Sequence, residues 1–270
     1  NGVLEMMMLL LALQIEVTAD AVTWKDGLRY ERTKAVGQSA CYFHPLSSPK
    51  GVELTEVAPK DHPHHRGIFF GWVETHGAKD ADFWGWGQPA PIKDRRVVNR
   101  DAKVEGDSVL IANEWVAEDV VIAREKIRAR LHAKDGIRIL DLEIALEVDA
   151  RLTVAKWAFS GFAVRARKDG IKTVEGPAGA VDLKAPSHVK PESNWPAAAW
   201  YGFQYESAGI ALAAAPSPWH VVKGIGLLNP APQSAGPLVI EPGAPFKLSY
   251  RVLTWDGPTP REALNALVTK

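Results

Sequence analysis

Apolar and polar residues alternate along most of this chain, the pattern of strands with one buried face. It is clearest from 141 to 148, where Leu142, Ile144, Leu146 and Val148 share one face and Asp141, Glu143 and Glu147 lie on the other. The stretch before it sets Ile127, Ala129 and Leu131 opposite Lys126, Arg128 and Arg130. Two neighbouring strands are therefore expected, their polar faces pairing acid against base on solvated sheet surface. Lys-Asp-Gly occurs at 25–27, 134–136 and 168–170, each time between β-type runs. Glycine accepts the positive φ of tight hairpin turns, so each occurrence predicts a hairpin. Between about 185 and 245 the alternation breaks, and ten of the nineteen prolines fall there. Long ordered loops between short strands are expected, held down by Trp195, Trp200, Tyr201, Trp219 and His220. The helical signal is C-terminal, where Thr259 or Pro260 opens a short helix through Arg261–Leu267. No repeat has a solenoid or propeller period. The pattern predicts an all-β fold, a large antiparallel β-sandwich with long loops and a short C-terminal helix, with residues 1–270 as one domain.

The run Met6-Met7-Met8-Leu9-Leu10-Leu11-Ala12-Leu13 predicts a buried first strand continuing into Gln14-Ile15-Glu16-Val17, or alternatively the remnant of a leader. It is shorter than the roughly 20 apolar residues that span a bilayer.

With 46% hydrophobic and 24% charged residues, the chain can bury a substantial core. Lys plus Arg and Asp plus Glu both total 32, so no global field draws in nucleic acid or an anionic membrane. A small molecule is the expected partner, with neither nucleic acid nor membrane involved. Oligomeric state stays open, as does compartment: cytoplasmic, periplasmic or secreted. A single cysteine, Cys41, excludes an internal disulfide and a thiolate zinc site. Ten tryptophans against five tyrosines suit a neutral ligand with apolar C–H faces, such as a sugar; the alternative is that they fill core volume.

Candidate chemistry centres on Asp61-His62-Pro63-His64-His65-Arg66-Gly67, which gathers three of the eight histidines ahead of Ile68-Phe69-Phe70-Gly71-Trp72. Imidazole titrates near neutrality and is the commonest metal ligand, so the cluster has two chemical uses. Pro63 disfavours helix at His62, which predicts an extended segment with His62, His64 and Arg66 on one side and Asp61 and His65 on the other. No cofactor is required by the sequence. If a divalent metal (copper, zinc or iron) binds, His62 and His64 are its ligands, with His44, His65, His76, His220 or a carboxylate as candidates for the third. Without metal the imidazoles serve as general acid and base, and Arg66 stabilises an oxyanion or holds a carboxylate or hydroxyl pair. Asp82-Phe83-Trp84-Gly85-Trp86-Gly87 is a second candidate, where glycine permits close approach and Asp82 accepts sugar hydroxyls, or else caps a packed turn. Trp219-His220 is a third. No phosphate-binding glycine loop, nucleophile elbow or dinucleotide fingerprint is present.

Tyr42-Phe43-His44-Pro45-Leu46, Pro49-Lys50-Gly51-Val52, Asp61 through Gly67 with Phe70-Gly71-Trp72, Asp82-Phe83-Trp84, Trp219-His220 with Asn229-Pro230, and Tyr250-Arg251-Val252-Leu253 together resemble the PmoA-like family of bacterial β-rich proteins. The resemblance spans about residues 36 to 256. It implies a supersandwich similar to galactose mutarotase, associated with sugar catabolism, in which a concave sheet face binds a sugar while His and a carboxylate do acid/base work. By that analogy His62, His64, His65, Arg66 and His220 are catalytic, and His44, Trp72, Asp82, Trp84 and Trp219 bind substrate. One departure stands out. An acidic stretch is expected ahead of Gly161-Phe162-Ala163-Val164-Arg165, but this chain has Lys156-Trp157-Ala158-Phe159-Ser160, which leaves Glu175 or Glu206 as replacement carboxylates. The leading expectation is a carbohydrate-active enzyme catalysing hydrolysis, elimination or epimerisation. The alternatives are a His-ligated metal-dependent oxidoreductase or hydrolase, and a non-catalytic carbohydrate-binding protein.

Overall fold

The computed structural model describes residues 15–36 and 39–268, so the strand expected over Met6–Leu13 lies outside the described residues. Alternating strands pair into two large antiparallel sheets. The nine-stranded sheet runs, edge to edge, Gly179–Val181, Thr173–Gly176, Trp200–Gln204, Ala208–Ala214, Phe246–Asp256, Ile137–Glu147, Val120–Lys134, Ser108–Ala117 and Arg95–Glu105. The eight-stranded sheet runs Ile15–Val17, Ala21–Trp24, Arg29–Glu31, Tyr42–Phe43, Ile68–Gly71, Gly161–Arg165, Leu227–Pro230 and Trp219–Val222. A small third sheet joins Leu238–Ile240, Leu152–Val154 and Thr75–His76.

The two large sheets pack face to face over one continuous core. Leu142, Ile144, Leu146 and Val148 point into it from the nine-stranded sheet, as their alternation predicts, and meet Phe70, Phe162 and Val164 from the other. Phe162 stacks on Tyr250 with ring centroids 4.1 Å apart, and Phe70 packs edge-on against Trp115 at 5.2 Å. Aromatic pairs of this kind add to what area burial already contributes. The polar faces pair acid with base only in part. Lys126 meets Glu147 at 2.8 Å, whereas Arg128 and Arg130 turn to Glu105 and Asp107 at 2.8 and 2.6 Å.

Two of the three Lys-Asp-Gly turns close hairpins. Gly27 donates to Trp24, and Asp135 and Gly136, both at positive φ, join Lys134 directly to Ile137. The third does not. The strand before it, Gly161–Arg165, belongs to the eight-stranded sheet and the one after it, Thr173–Gly176, to the nine-stranded sheet, so the turn carries the chain between layers. A local turn signal does not say which sheet receives the next strand.

Each sheet also has a covered outer face. On the nine-stranded sheet, Leu264 and Leu267 of the helix Arg261–Val268 pack on Ile137, Ile139, Trp200, Leu253 and Trp255, beside a groove of about 1200 Å³. On the eight-stranded sheet, Tyr42, Phe69, Ala163 and Leu227 are roofed by Val73, Trp84, Ala158 and Phe159. Among the described residues no helix is long and apolar enough to cross a membrane.

A histidine and arginine cluster as candidate active site

The segment ahead of Ile68 is not extended. His62 N–H donates to Pro59 O at 3.0 Å and His65 N–H to His62 O at 3.0 Å, giving consecutive turns, the second with Pro63 at the position whose φ proline presets. Turn geometry cancels the expected alternation and gathers all three imidazoles. Ring centroids are 4.6 Å apart for His62 and His65 (stacked), 4.7 Å for His64 and His65 and 5.8 Å for His62 and His64. Gly67 then starts the strand at φ +63°. A Cβ there would lie 2.5 Å from Phe43 O, so the chain can enter the sheet at this point only as glycine.

The cluster has a wet edge and a dry floor. Asp61 accepts from His62 Nδ1 at 2.8 Å, which leaves the Nε2 of this partly exposed ring without a hydrogen bond among the described residues. Behind it, the fully buried Arg165 donates to Asp61 at 2.9 Å, with Lys168 at 3.3 Å. Burial opposes ionisation of Asp61, but its bonds to His62 and Arg165 and the charge of Arg165 outweigh that and hold the carboxyl well below the usual range. Arg165 also donates to His65 Nδ1 at 3.3 Å, so the proton of the buried, neutral His65 is on Nε2. Burial, then the neighbouring histidines and Arg165, hold His65 far below its ordinary value. Burial also pushes His64 down to about 4, helped by His62, Arg66, Arg95 and Arg165. His64 is thus neutral at pH 7, half-buried, and makes no hydrogen bond through its ring among the described residues.

Arg66 lies beneath, 1% exposed, with its guanidinium 4.6 Å over Phe69 and hydrogen bonds of 3.3–3.4 Å to the carbonyls of His64, Trp84 and Phe83. It therefore lines the floor and does not share an open face with His62 and His64. Trp84, buried against His65 (5.6 Å) and Phe69 (4.8 Å), also belongs to the floor. Asp82 is a turn cap. It caps the turn by accepting from the N–H groups of Gly85 and Gly87 at 2.7 and 2.5 Å, and being fully buried it is out of a sugar's reach. His44 stands apart, bonded through Nδ1 to Thr55 Oγ1 at 2.9 Å.

Two expected platforms are core residues. Trp72 packs between the sheets on Phe70 and Trp115, and Trp219 packs on Tyr201 and donates to Ala198 O at 3.1 Å; both are closed to solvent. The reason is strand parity, which turns Phe69 outward and Phe70 inward. His220 lies on the same outer face as the cluster but touches none of its imidazoles. It bonds Asn194 at 2.9 Å, and burial, then His188, push it down to about 4. A strip of rings connects the two histidine groups, from His65 to Trp84 (5.6 Å), Trp84 to Phe159 (5.4 Å) and Phe159 to His220 (5.5 Å).

The half-buried indoles are Trp86 and Trp157, perpendicular at 5.4 Å, with His188 edge-on to Trp86 at 6.0 Å and Glu74 accepting from Trp157 Nε1. Trp157 stands where an acid was expected, and the carboxylate found against the cluster is Asp61. Glu175 is instead tied to Arg261 at 2.9 Å and Glu206 to Lys172 at 3.0 Å. Ser160, at φ 153°, ends the loop bearing Trp157 and Phe159 in a conformation that costs energy for a non-glycine residue. Asn229 fixes it, accepting from Ser160 N–H at 3.0 Å and donating to Ser160 O at 2.8 Å. Among the described residues no group of three or more His, Cys, Asp or Glu side chains converges to hold a metal ion.

The molecule is thus a large antiparallel β-sandwich with a loop-built histidine and arginine cluster on the outer face of one sheet. Residues 19–269 match a family described as "Family of unknown function (DUF6807)", and the chain belongs to it. No curated protein matches. Solved structures with similarity include a polysaccharide lyase (12% identity, TM-score 0.40, covering 86% of this chain and 32% of the lyase). An α-galactosidase from Lactobacillus brevis also aligns (7%, TM-score 0.47, 92% and 40%), as does a heparinase III gene product (7%, TM-score 0.27, 62% and 22%). The chain spans well under half the length of each.

Proposed function

We propose that this protein is a carbohydrate-active enzyme working through metal-free proton transfer at the histidine cluster, in hydrolysis, elimination or epimerisation. One observation carries the reading. His62 has an anchored carboxylate behind Nδ1 and an Nε2 without a hydrogen bond among the described residues, beside a neutral His64 whose ring makes no hydrogen bond among them either. A base oriented by a carboxylate next to a second imidazole is what acid/base catalysis at neutral pH needs. Trp86 and Trp157 give the sugar ring its apolar faces, and the resemblance to the PmoA-like family supplies the expectation of sugar catabolism. A screen of glycosides and oligosaccharides with wild type, His62→Ala and His64→Ala tests the reading. Turnover that is lost in both variants while the circular dichroism spectrum is unchanged supports it. Full activity in both variants removes the assignment, and stoichiometric metal in the purified protein that disappears in His64→Ala would move it to the metal-dependent alternative.

A further inference from the structure

Among the described residues, His76 is the histidine whose two ring nitrogens both meet carboxylates: Nε2 lies 2.9 Å from Glu74 Oε1, and Nδ1 lies 3.1 Å from Asp80 Oδ1. A neutral imidazole has one N–H and one lone pair, whereas an ionised carboxylate only accepts, so the two contacts together require the imidazolium. The local chain builds this bridge. Thr75 is buried, which puts its neighbours Glu74 and His76 on the opposite, outer side. Thr75 and Ala81 exchange backbone hydrogen bonds of 3.0 and 3.1 Å, closing the loop between them and returning Asp80 to His76. Burial opposes the charge on His76, but its bonds to Asp80 and Glu74 and the charges of both acids outweigh that and raise the ring above its ordinary 6.5. Thr153, opposite His76 on the paired strand, is uncharged. The cations on the flanking segments are engaged by other acids, Lys79 by Glu118 at 2.6 Å and Arg151 by Glu241 at 2.8 Å.

Glu74 carries the bridge to an indole. Its Oε2 accepts from Trp157 Nε1 while its Oε1 accepts from His76, so one carboxylate joins the imidazolium to the half-buried ring. Backbone pairing holds the two sides together, since Ala155 N–H, two residues before Trp157, donates to Glu74 O at 3.0 Å. Trp157 stands perpendicular to Trp86, and the corner these rings form is the apolar surface assigned above to the sugar. With both nitrogens on carboxylates, His76 has no lone pair for a metal ion. Loss of its proton leaves one N–H for two carboxylates. The ring must then release Glu74 or Asp80, and the two acids are left without the cation between them.

Building on the carbohydrate reading, we propose that His76 is a positioning residue for the sugar platform, acting through Glu74 to set the Trp157 indole, so that sugar affinity follows the protonation state of His76. Affinity is then highest at mildly acidic pH and falls as pH rises above 6.5 through the His76 titration. His76, Glu74 and Asp80 are all partly exposed, so added salt weakens the link.

Two measurements from about pH 5.5 to about pH 8.5 test this. The first is a proton–nitrogen NMR spectrum of protein labelled with nitrogen-15 at tryptophan and histidine, with the Trp157 indole signal identified by its loss in Trp157→Phe. That signal should move along one titration curve with the His76 ring and stay still in His76→Gln. The second is calorimetric titration with lactose, cellobiose, maltose and xylobiose. At least one of them should bind about two- to fivefold more weakly at the alkaline end, with His76→Gln weak throughout and His76→Lys, whose charge persists, tight throughout. An indole signal that ignores pH, or moves equally in His76→Gln, would overturn the proposal. A pH effect on affinity that survives in His76→Gln would do the same. An affinity unchanged by pH while the indole follows His76 would overturn the link to binding and leave the carbohydrate reading standing. Binding of none of these sugars at any pH would overturn the platform together with the reading it rests on.

Discussion

The two outer faces of the sandwich are both rich in charge, yet they keep it differently. On the nine-stranded sheet Arg124, Lys126, Arg128 and Arg130 are largely exposed and each meets an acid at 2.6–2.8 Å. Exposed pairs of this kind contribute about 0–1 kcal/mol and serve solubility. At the outer face of the eight-stranded sheet Arg66 and Arg165 are buried around His64 and His65, together with Arg95 from the edge strand Arg95–Glu105 of the other sheet, and only Arg165 has acids against it. The groove of about 1200 Å³ lies on the first face and the perturbed histidines on the second. Volume and chemistry therefore point to different places. The chemistry is the better guide, because buried, unpaired charge is costly to fold and a wide groove costs nothing.

The largest expected effect is on turnover. His64→Ala should reduce it by about 10²- to 10⁴-fold, the usual range for removing a positioned acid or base, whereas Arg128→Ala beside the groove should change it less than twofold. The reverse order in steady-state assays would move the site to the groove. Next comes stability. Arg165→Ala removes a fully buried side chain with its bonds to Asp61 and His65 and should lower the unfolding free energy in urea by about 2 kcal/mol, against about 0.5 kcal/mol for Arg128→Ala. Similar losses in the two variants would erase the distinction between the faces.

The pH dependence of stability should also have opposite signs in two regions. Burial pushes Glu125, bonded to Asn113 at 2.6 Å on the inner side of the nine-stranded sheet, up to about 7 from an ordinary 4.5. As pH rises from about 4.5 through about 7 the unfolded chain releases this proton before the folded one does, so stability falls, by roughly 3 kcal/mol in all. Glu125→Gln should flatten that slope in urea titrations run at successive pH values. His64 and His220, held down at about 4, act in the other direction: the unfolded chain takes up protons below 6.5 and the folded one does not, so stability falls as pH drops from about 6.5 to 4. A slope below pH 6.5 unchanged in a His64→Gln, His220→Gln double variant would contradict this. The smallest effect is at the indoles. Trp86→Ala should weaken sugar affinity by about three- to tenfold with little change in Tm, and a wild-type affinity would show that the half-buried pair is not a platform.

Much of the fold was legible because strand alternation and turn chemistry are local. The inward face of 141–148, two Lys-Asp-Gly hairpins and the C-terminal helix all follow from such signals. What was not legible depends on long-range pairing. The turn at 168–170 looks like the others, and only the assignment of its flanking strands to different sheets makes it a crossover. At the site, His62, His64 and His65 were visible as a cluster, but two stacked turns set their arrangement. Trp72 and Trp219 were misread because parity within a short buried strand cannot be judged when both faces are apolar. Arg95, in a run of charged residues at 93–96, gave no signal at all. Arg165 did give one, as a charge ending the otherwise apolar strand Gly161–Arg165. Trp157 gave another, standing where an acid was expected.

The eight histidines are distributed between the faces, so they report directly on which one works. The decisive measurement is a two-dimensional proton–nitrogen NMR spectrum of the imidazoles in protein labelled with nitrogen-15 at histidine, recorded while acidic and neutral oligosaccharides are added. The account predicts that ligand shifts His62 and His64 and leaves His132, which is paired with Asp141 beside the groove, unmoved. Shifts at His132 with the cluster silent would contradict it.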